Sequence, residues 1–253
     1  MQTTSSNYDL LLLFEESPQS LSLEKLLSFE AFVKTPLLLA HTLNRIAPFS
    51  KTTLHTPPQN DAKAIFTAGM DFGRSYELMG SALIIGSMQK EQLRKSEAFV
   101  NELLLQEENL FSLLEENSSK TLIFLAGFLV EASKRFEIVL GGGFSLATAL
   151  LIADRLRETI LMRPNVNNIL YVSTEESLLQ EQLKKLFASL SYEQKALYMK
   201  CDFAKNDAAV VQTIAASKDL YTAATPALFY YALGHEIKSD TLLDEMELSY
   251  YLL

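Results

Sequence analysis

The sequence predicts a three-layer α/β fold, a mostly parallel sheet with helices on both faces. Short apolar runs with little alternation suit strands covered on both sides, and helix-start signals separate them. The third observation is local: Phe136 to Leu140 reads as a strand, Gly141-Gly142-Gly143 as its turn, and Ser145 onward as a buried helix. A return strand at Asn168 to Val172 completes a βαβ unit of ordinary length.

Taken in order, the expected strands are Tyr8 to Phe14, Lys63 to Thr67, Ala82 to Ile85, Phe136 to Leu140 and Asn168 to Val172. Helix starts are expected where a cap precedes proline, at Thr35-Pro36 and Thr225-Pro226. They are also expected at the capping-box spacings Ser173 with Glu176 and Ser191 with Gln194. Ser50 to Asp61, with Pro57-Pro58, reads as loop. The order of elements argues for parallel strands, and residues 1–253 for one α/β domain with room for a small helical subdomain from the chain ends. The last stretch places Leu242, Met246, Tyr250 and Leu253 on one helical side, an expected core or subunit face.

Composition narrows the function. The 253 residues are 48% hydrophobic and 21% charged, a globular balance with a core that needs no disulfide or metal. Cys201 is the single cysteine, so no intrachain disulfide forms; it reads as an ordinary thiol. With 22 basic and 31 acidic residues the net charge is −9, which argues against a nucleic-acid partner. Leu10 to Phe14 runs into Glu15-Glu16, and Thr121 to Val130 is about half the roughly 20 residues of a spanning helix. Both read as buried elements, and a cytoplasmic protein without a membrane partner is expected. His41, His55 and His235 show no ligand spacing, so neither a metal nor another cofactor is expected.

Three adjacent glycines expose backbone N–H groups and permit positive φ, and the helix that follows adds its positive dipole end. Gly141, Gly142, Gly143 and Ser145 are therefore candidate phosphate or carboxylate ligands. A tight turn that needs glycine only for helix–sheet contact is the plainer alternative. Gly69 to Arg74 follows the run Lys63 to Thr67, where an open α/β sheet binds ligands. Asp71 there could meet a ribose hydroxyl or act as a base, or simply cap a helix beginning at Phe72. Ser173, Thr174, Glu175 and Glu176 also follow a strand, although first-turn acids suit a helix dipole in any case. Glu236 lies in Gly234-His235-Glu236, near a helix end.

These segments resemble the nicotinate-nucleotide–dimethylbenzimidazole phosphoribosyltransferase family, which works on the lower ligand of cobamides. Val139 to Leu150 looks like the family's strand–glycine–helix segment. Gly69 to Arg74 looks like a G-x-D-x-G-R stretch, and Asn168 to Thr174 like a strand ending in paired hydroxyls. The resemblance covers Lys63 to Thr174 and marks a diverged, short member. It implies a homodimer and transfer of phosphoribosyl from nicotinate mononucleotide to a benzimidazole-type base. Gly141, Gly142, Gly143 and Ser145 then hold the phosphate, and Asp71, Arg74, Ser173 and Thr174 line the substrate. The family's second glycine- and threonine-rich phosphate loop has no counterpart after Ser87, and its glycine-rich run with the catalytic glutamate has none after Gly143. No base is thereby assigned; Glu175, Glu176 and Glu236 are the carboxylates to consider. The alternative is a non-catalytic nucleotide-binding or partner protein on the same fold. An unrelated enzyme using the Gly141 to Ser145 turn for another phosphorylated metabolite is a third reading.

Overall fold

The computed structural model describes residues 7–15, 34–88, 93–106, 109–175, 177–200 and 224–252. Six parallel strands form one sheet in the order β2-β1-β3-β4-β5-β6. They are β1 Asp9–Leu13, β2 Lys51–His55, β3 Leu83–Ser87, β4 Ile138–Gly141, β5 Ile169–Thr174 and β6 Ala196–Met199. The helices of the described residues are α1 Lys34–Ile46, α2 Ala62–Ser75, α3 Leu93–Leu105, α4 Leu110–Asn117, α5 Lys120–Ala132 and α6 Phe144–Ile160, then α7 Ser177–Ala188, α8 Thr225–Gly234 and α9 Ser239–Tyr251.

Strand alternation divides the core. Leu11, Leu13, Leu83, Ile85, Ile138, Leu140 and Tyr171 face the layer built from α2 through α7. Leu10, Leu12, Ile84, Val139, Val172 and Met199 face α1, α8 and α9. Both faces are thus covered, which is why these strands read as near-continuous apolar runs. Crossovers toward β2 use the second layer and those toward β6 the first, so the winding reverses between β1 and β3. In such sheets ligands bind beyond the carboxyl ends of the strands.

Lys63 to Thr67 is not a strand. Asp61 caps α2 by accepting the Ala64 N–H at 2.8 Å, and Ile65, Phe66, Gly69, Met70 and Gly73 form one buried helical stripe. Gly69 and Gly73 of α2 lie against the α5 backbone at Phe124 and Phe128, and Gly127 of α5 lies against Phe66 and Met70. Only glycine allows two backbones to approach so closely. The run Thr121 to Val130, expected to be a buried element, is buried throughout as the middle of α5.

Two strands escape the apolar pattern. β2 lies inside the stretch read as loop; it is a half-buried edge strand of sequence Lys-Thr-Thr-Leu-His. β6 follows Ser191 and Gln194, whose capping-box spacing does not start a helix. Ser191 instead donates its N–H and its hydroxyl to Asp154, and the Gln194 amide donates to the Ile169 and Lys195 carbonyls. Ser173 likewise belongs to β5 and not to a helix start. Thr225-Pro226 does open a helix, one residue later than a cap, with Ala224 at the N-cap. On α9 the buried residues are Leu242, Leu243, Met246 and Ser249, whereas Tyr250 is half exposed; Leu253 lies outside the described residues.

His55 ends β2 with its ring stacked on Phe72 and Phe124, at centroid distances of 4.4 and 4.6 Å. Its buried Nε2 has no hydrogen-bond partner among the described residues, and burial lowers its pKa. The folded protein therefore binds this proton less readily than the unfolded chain. Stability is complete above the ordinary histidine pKa and falls as pH drops through and below it. Half-buried His235, also lowered by burial, acts in the same direction. Melting temperature is expected to decline between about pH 7 and pH 5. His55→Phe should flatten that decline; an unaltered slope would show that His55 does not contribute.

Candidate functional site at the carboxyl edge

β4 delivers its chain to this edge at Gly141 and α6 leaves from Gly143, so the three glycines span a strand-to-helix turn. Their reasons for being glycine differ from the expectation of positive φ, because no described glycine has one. At Gly141 a Cβ would stand 2.1 Å from Ala227 Cβ and 2.7 Å from Ala227 N, so α8 can lie on the sheet only over a bare Cα. The Gly142 N–H donates to the Val172 carbonyl at 3.1 Å and is spent on the sheet. Gly142 thus cannot offer the open amide expected of it.

Gly143 is the N-cap of α6, in extended conformation and without a side-chain cap. Its carbonyl accepts a hydrogen bond from the Tyr171 hydroxyl. Ser145, half-buried in the first turn, shares a 2.6 Å hydroxyl–hydroxyl contact with Ser96 of α3, and its carbonyl accepts from Thr148. This 17-residue helix therefore points its positive end at the carboxyl edge with backbone groups there, not side-chain caps.

β5 ends beside it. Ser173 and Thr174 are buried, at 0% and 1% exposure, and neither hydroxyl has a hydrogen-bond partner among the described residues. A buried hydroxyl left unmatched costs about 1–3 kcal/mol, so a ligand that supplied an acceptor to either of these two at the strand end would recover that cost. Glu175 follows, exposed, with its N–H on the Met199 carbonyl at 3.1 Å. Glu176 lies outside the described residues, as does Cys201.

The other predicted residues stand elsewhere. Asp71 and Arg74 occupy the last turns of α2, toward the amino edge of the sheet, where Arg135 donates to the Gly73 and Arg74 carbonyls. Arg74 pairs with Asp71 at 2.9 Å and with Glu131 at 3.1 Å, on the surface. Its guanidinium pKa is raised, first by the hydrogen bond to Glu131. These residues lie within a helix and not just past a strand end, so they do not join the Gly143 site, and Asp71 is not an N-cap. Glu236 is also remote: it sits in the α8–α9 turn at φ 58°, past the α8 end whose Tyr231 reaches the Ala47 carbonyl. It lines an open amino-edge hollow of about 420 Å³ with Ile46, Ile237, Lys238, Thr241 and Glu245.

One carboxylate at the carboxyl edge was not anticipated. Glu15, just past β1, accepts the Lys120 N–H at 3.1 Å and the Thr121 hydroxyl at 3.0 Å. It caps α5 next to the point where the winding reverses. Its position after the Leu10 to Phe14 run was a usable signal, since residues just past a strand of an open sheet are the ones a ligand meets. Ser96 and Tyr171 carried no comparable signal.

Among the described residues no three or more His, Cys, Asp or Glu gather as a metal site, and no helix is long and apolar enough to cross a membrane. No protein-family model and no curated protein matches the chain. Solved structures do, among them two from Thermus thermophilus, one described as nicotinate-nucleotide-dimethylbenzimidazole phosphoribosyltransferase and one as CobT. The chain is similar to both. Each is 12% identical and matches over 96% of this chain, covering 83% and 84% of the other chain with TM-scores of 0.48 and 0.49. What the carboxyl edge can do follows from its own residues.

Proposed function

We propose that this protein binds nicotinate mononucleotide at the carboxyl edge and transfers its phosphoribosyl group to a benzimidazole-type base, as a diverged phosphoribosyltransferase of cobamide lower-ligand assembly. The observation that carries the reading is the pair of buried, unmatched hydroxyls of Ser173 and Thr174 beside the α6 start at Gly143. A phosphate supplies several acceptor oxygens and is favoured at a positive helix end. In this reading Gly143 and Ser145 hold the phosphate, and Ser173 and Thr174 bond to it or to the ribose.

The bond from the anomeric carbon to the pyridinium nitrogen breaks, and nicotinate leaves with the bonding pair. A benzimidazole nitrogen forms the new bond, and the proton of the attacking ring passes to a base. Of the carboxylates considered from sequence, Glu175 alone among the described residues stands at this edge, so it is assigned that role. The homodimer that the sequence resemblance implies belongs to the same reading and is checked by mass in solution.

A second reading, a nucleotide-binding protein without turnover, is favoured by one feature. Glu175 is exposed, and no described side chain holds its carboxylate in place. The two part on a single assay, release of free nicotinate from nicotinate mononucleotide on adding dimethylbenzimidazole. Release that drops by about 10²–10⁴-fold in Glu175→Gln, the usual worth of a positioned base, supports the enzyme. Binding without release supports the second reading.

A further inference from the structure

We infer that Thr225, at the start of α8, completes the carboxyl-edge site from the opposite face of the sheet and makes it selective for a dianionic phosphate monoester. The inference rests on the reading above and goes beyond it, because it brings to the site a residue that the sequence marked only as a helix start before proline.

Two contacts locate the start of α8. Ala224 lies against Gly86 near the end of β3, and Ala227 against Gly141 at the end of β4. The other end of this ten-residue helix reaches the amino edge, where the Tyr231 hydroxyl donates to the Ala47 and Pro48 carbonyls. The positive end of α8 therefore points at the same edge as that of α6, from the other face. The Ala224 N-cap gives it no side-chain partner, and Pro226 has no N–H.

The second observation is independent of the dipole. Thr225 is 0% exposed, and its hydroxyl has no hydrogen-bond partner among the described residues. Alternation along β5 puts Thr174 on the Val172 side, which is the α8 face, and Ser173 on the Tyr171 side, which is the α6 face. The end of β5 thus offers one unmatched hydroxyl to each layer, and Thr225 adds a third on the α8 side. Thr174 and Thr225 are thus two buried, unmatched hydroxyls on the α8 side of the edge toward which both helix starts point, donors of the kind that a compact, doubly charged group of several oxygens requires.

The test compares nicotinate mononucleotide with nicotinate riboside, which lacks the phosphate, and with inorganic phosphate. Thr225→Val keeps the shape and removes an unmatched hydroxyl, so its melting temperature should equal or exceed that of the unaltered protein. Its affinity for the mononucleotide should fall about 10-fold or more, the usual worth of a hydrogen bond to a charged group, while affinity for the riboside stays the same. Thr225→Ser, which retains the hydroxyl, should bind the mononucleotide nearly as well as the unaltered protein and serves as the second variant. Equal mononucleotide affinity in Thr225→Val overturns the inference and leaves the proposed function standing; so does an equal loss for mononucleotide and riboside. Inorganic phosphate that stabilises the unaltered protein but not Thr225→Val supports Thr225 even where the mononucleotide does not bind. If neither phosphate nor mononucleotide binds, both readings fall.

Discussion

Gly127→Ala is expected to destabilise the protein by about 3 kcal/mol or more, the upper end of what overpacking a close-packed interior costs. A Cβ at this position would stand 2.1 Å from the Phe66 carbonyl oxygen and 3.2 Å from the Met70 nitrogen. These are backbone atoms of a helix, so no rotamer change relieves the clash. The same holds from the other side, where a Cβ at Gly69 would meet the Phe124 carbonyl oxygen at 2.1 Å. Either substitution forces α2 and α5 apart, and α5 is buried along its length.

For a chain of this size each kcal/mol moves the midpoint by about 2–4 °C, so Gly127→Ala should melt about 6–12 °C lower. Gly234→Ala is the control, since nothing lies within 4 Å of a Cβ there. It should change stability by no more than about 0.5 kcal/mol, as surface substitutions usually do. A Gly127→Ala protein that melts with the unaltered one would mean that the α2–α5 contact is not as close as described.

The second large effect is on the ligand side. Nicotinate mononucleotide at about 100 times its dissociation constant should stabilise the fold by roughly 2.7 kcal/mol, whatever that constant is. The midpoint should then rise by about 5–11 °C. The Ser173→Ala and Thr174→Val proteins should show a smaller rise at the same concentration, because each loses a donor to the ligand. Both should be at least as stable without ligand, because each loses a buried unmatched hydroxyl. That opposite pair of signs separates a binding hydroxyl from a structural one.

The fold was legible where burial on both faces leaves its mark in the residues. β1, β3, β4 and β5 each centre on a run of buried apolar residues, and the three glycines before α6 mark a turn. β2 was not legible because an edge strand has one neighbour and little to bury, so Lys51-Thr52-Thr53-Leu54-His55 looks like loop. α2 looks like a strand for a related reason. Ala64-Ile65-Phe66-Thr67 has strand-like residues, and what makes it helical is the Asp61 cap together with a glycine interface on a helix distant in sequence. Reading it as a strand carries Asp71 and Arg74 to the wrong edge of the sheet. Of the candidate residues, Gly143 and Ser145 stand at the carboxyl edge in the turn and first helical turn after β4, and Ser173 and Thr174 at the end of β5, because strand–turn–helix order is readable from the residues. Thr225 reaches that edge through the packing of α8 on Gly86 and Gly141, which no local pattern reveals.

The most direct measurement is a crystal structure of the protein with nicotinate mononucleotide. The phosphate is expected at the start of α6, within hydrogen-bonding distance of Gly143 or Ser145 and of at least one of the Ser173, Thr174 and Thr225 hydroxyls, with Glu175 on the side of the anomeric carbon. A nucleotide bound instead at the amino edge, beside Asp71 and Arg74 or in the hollow at Glu236, would contradict it.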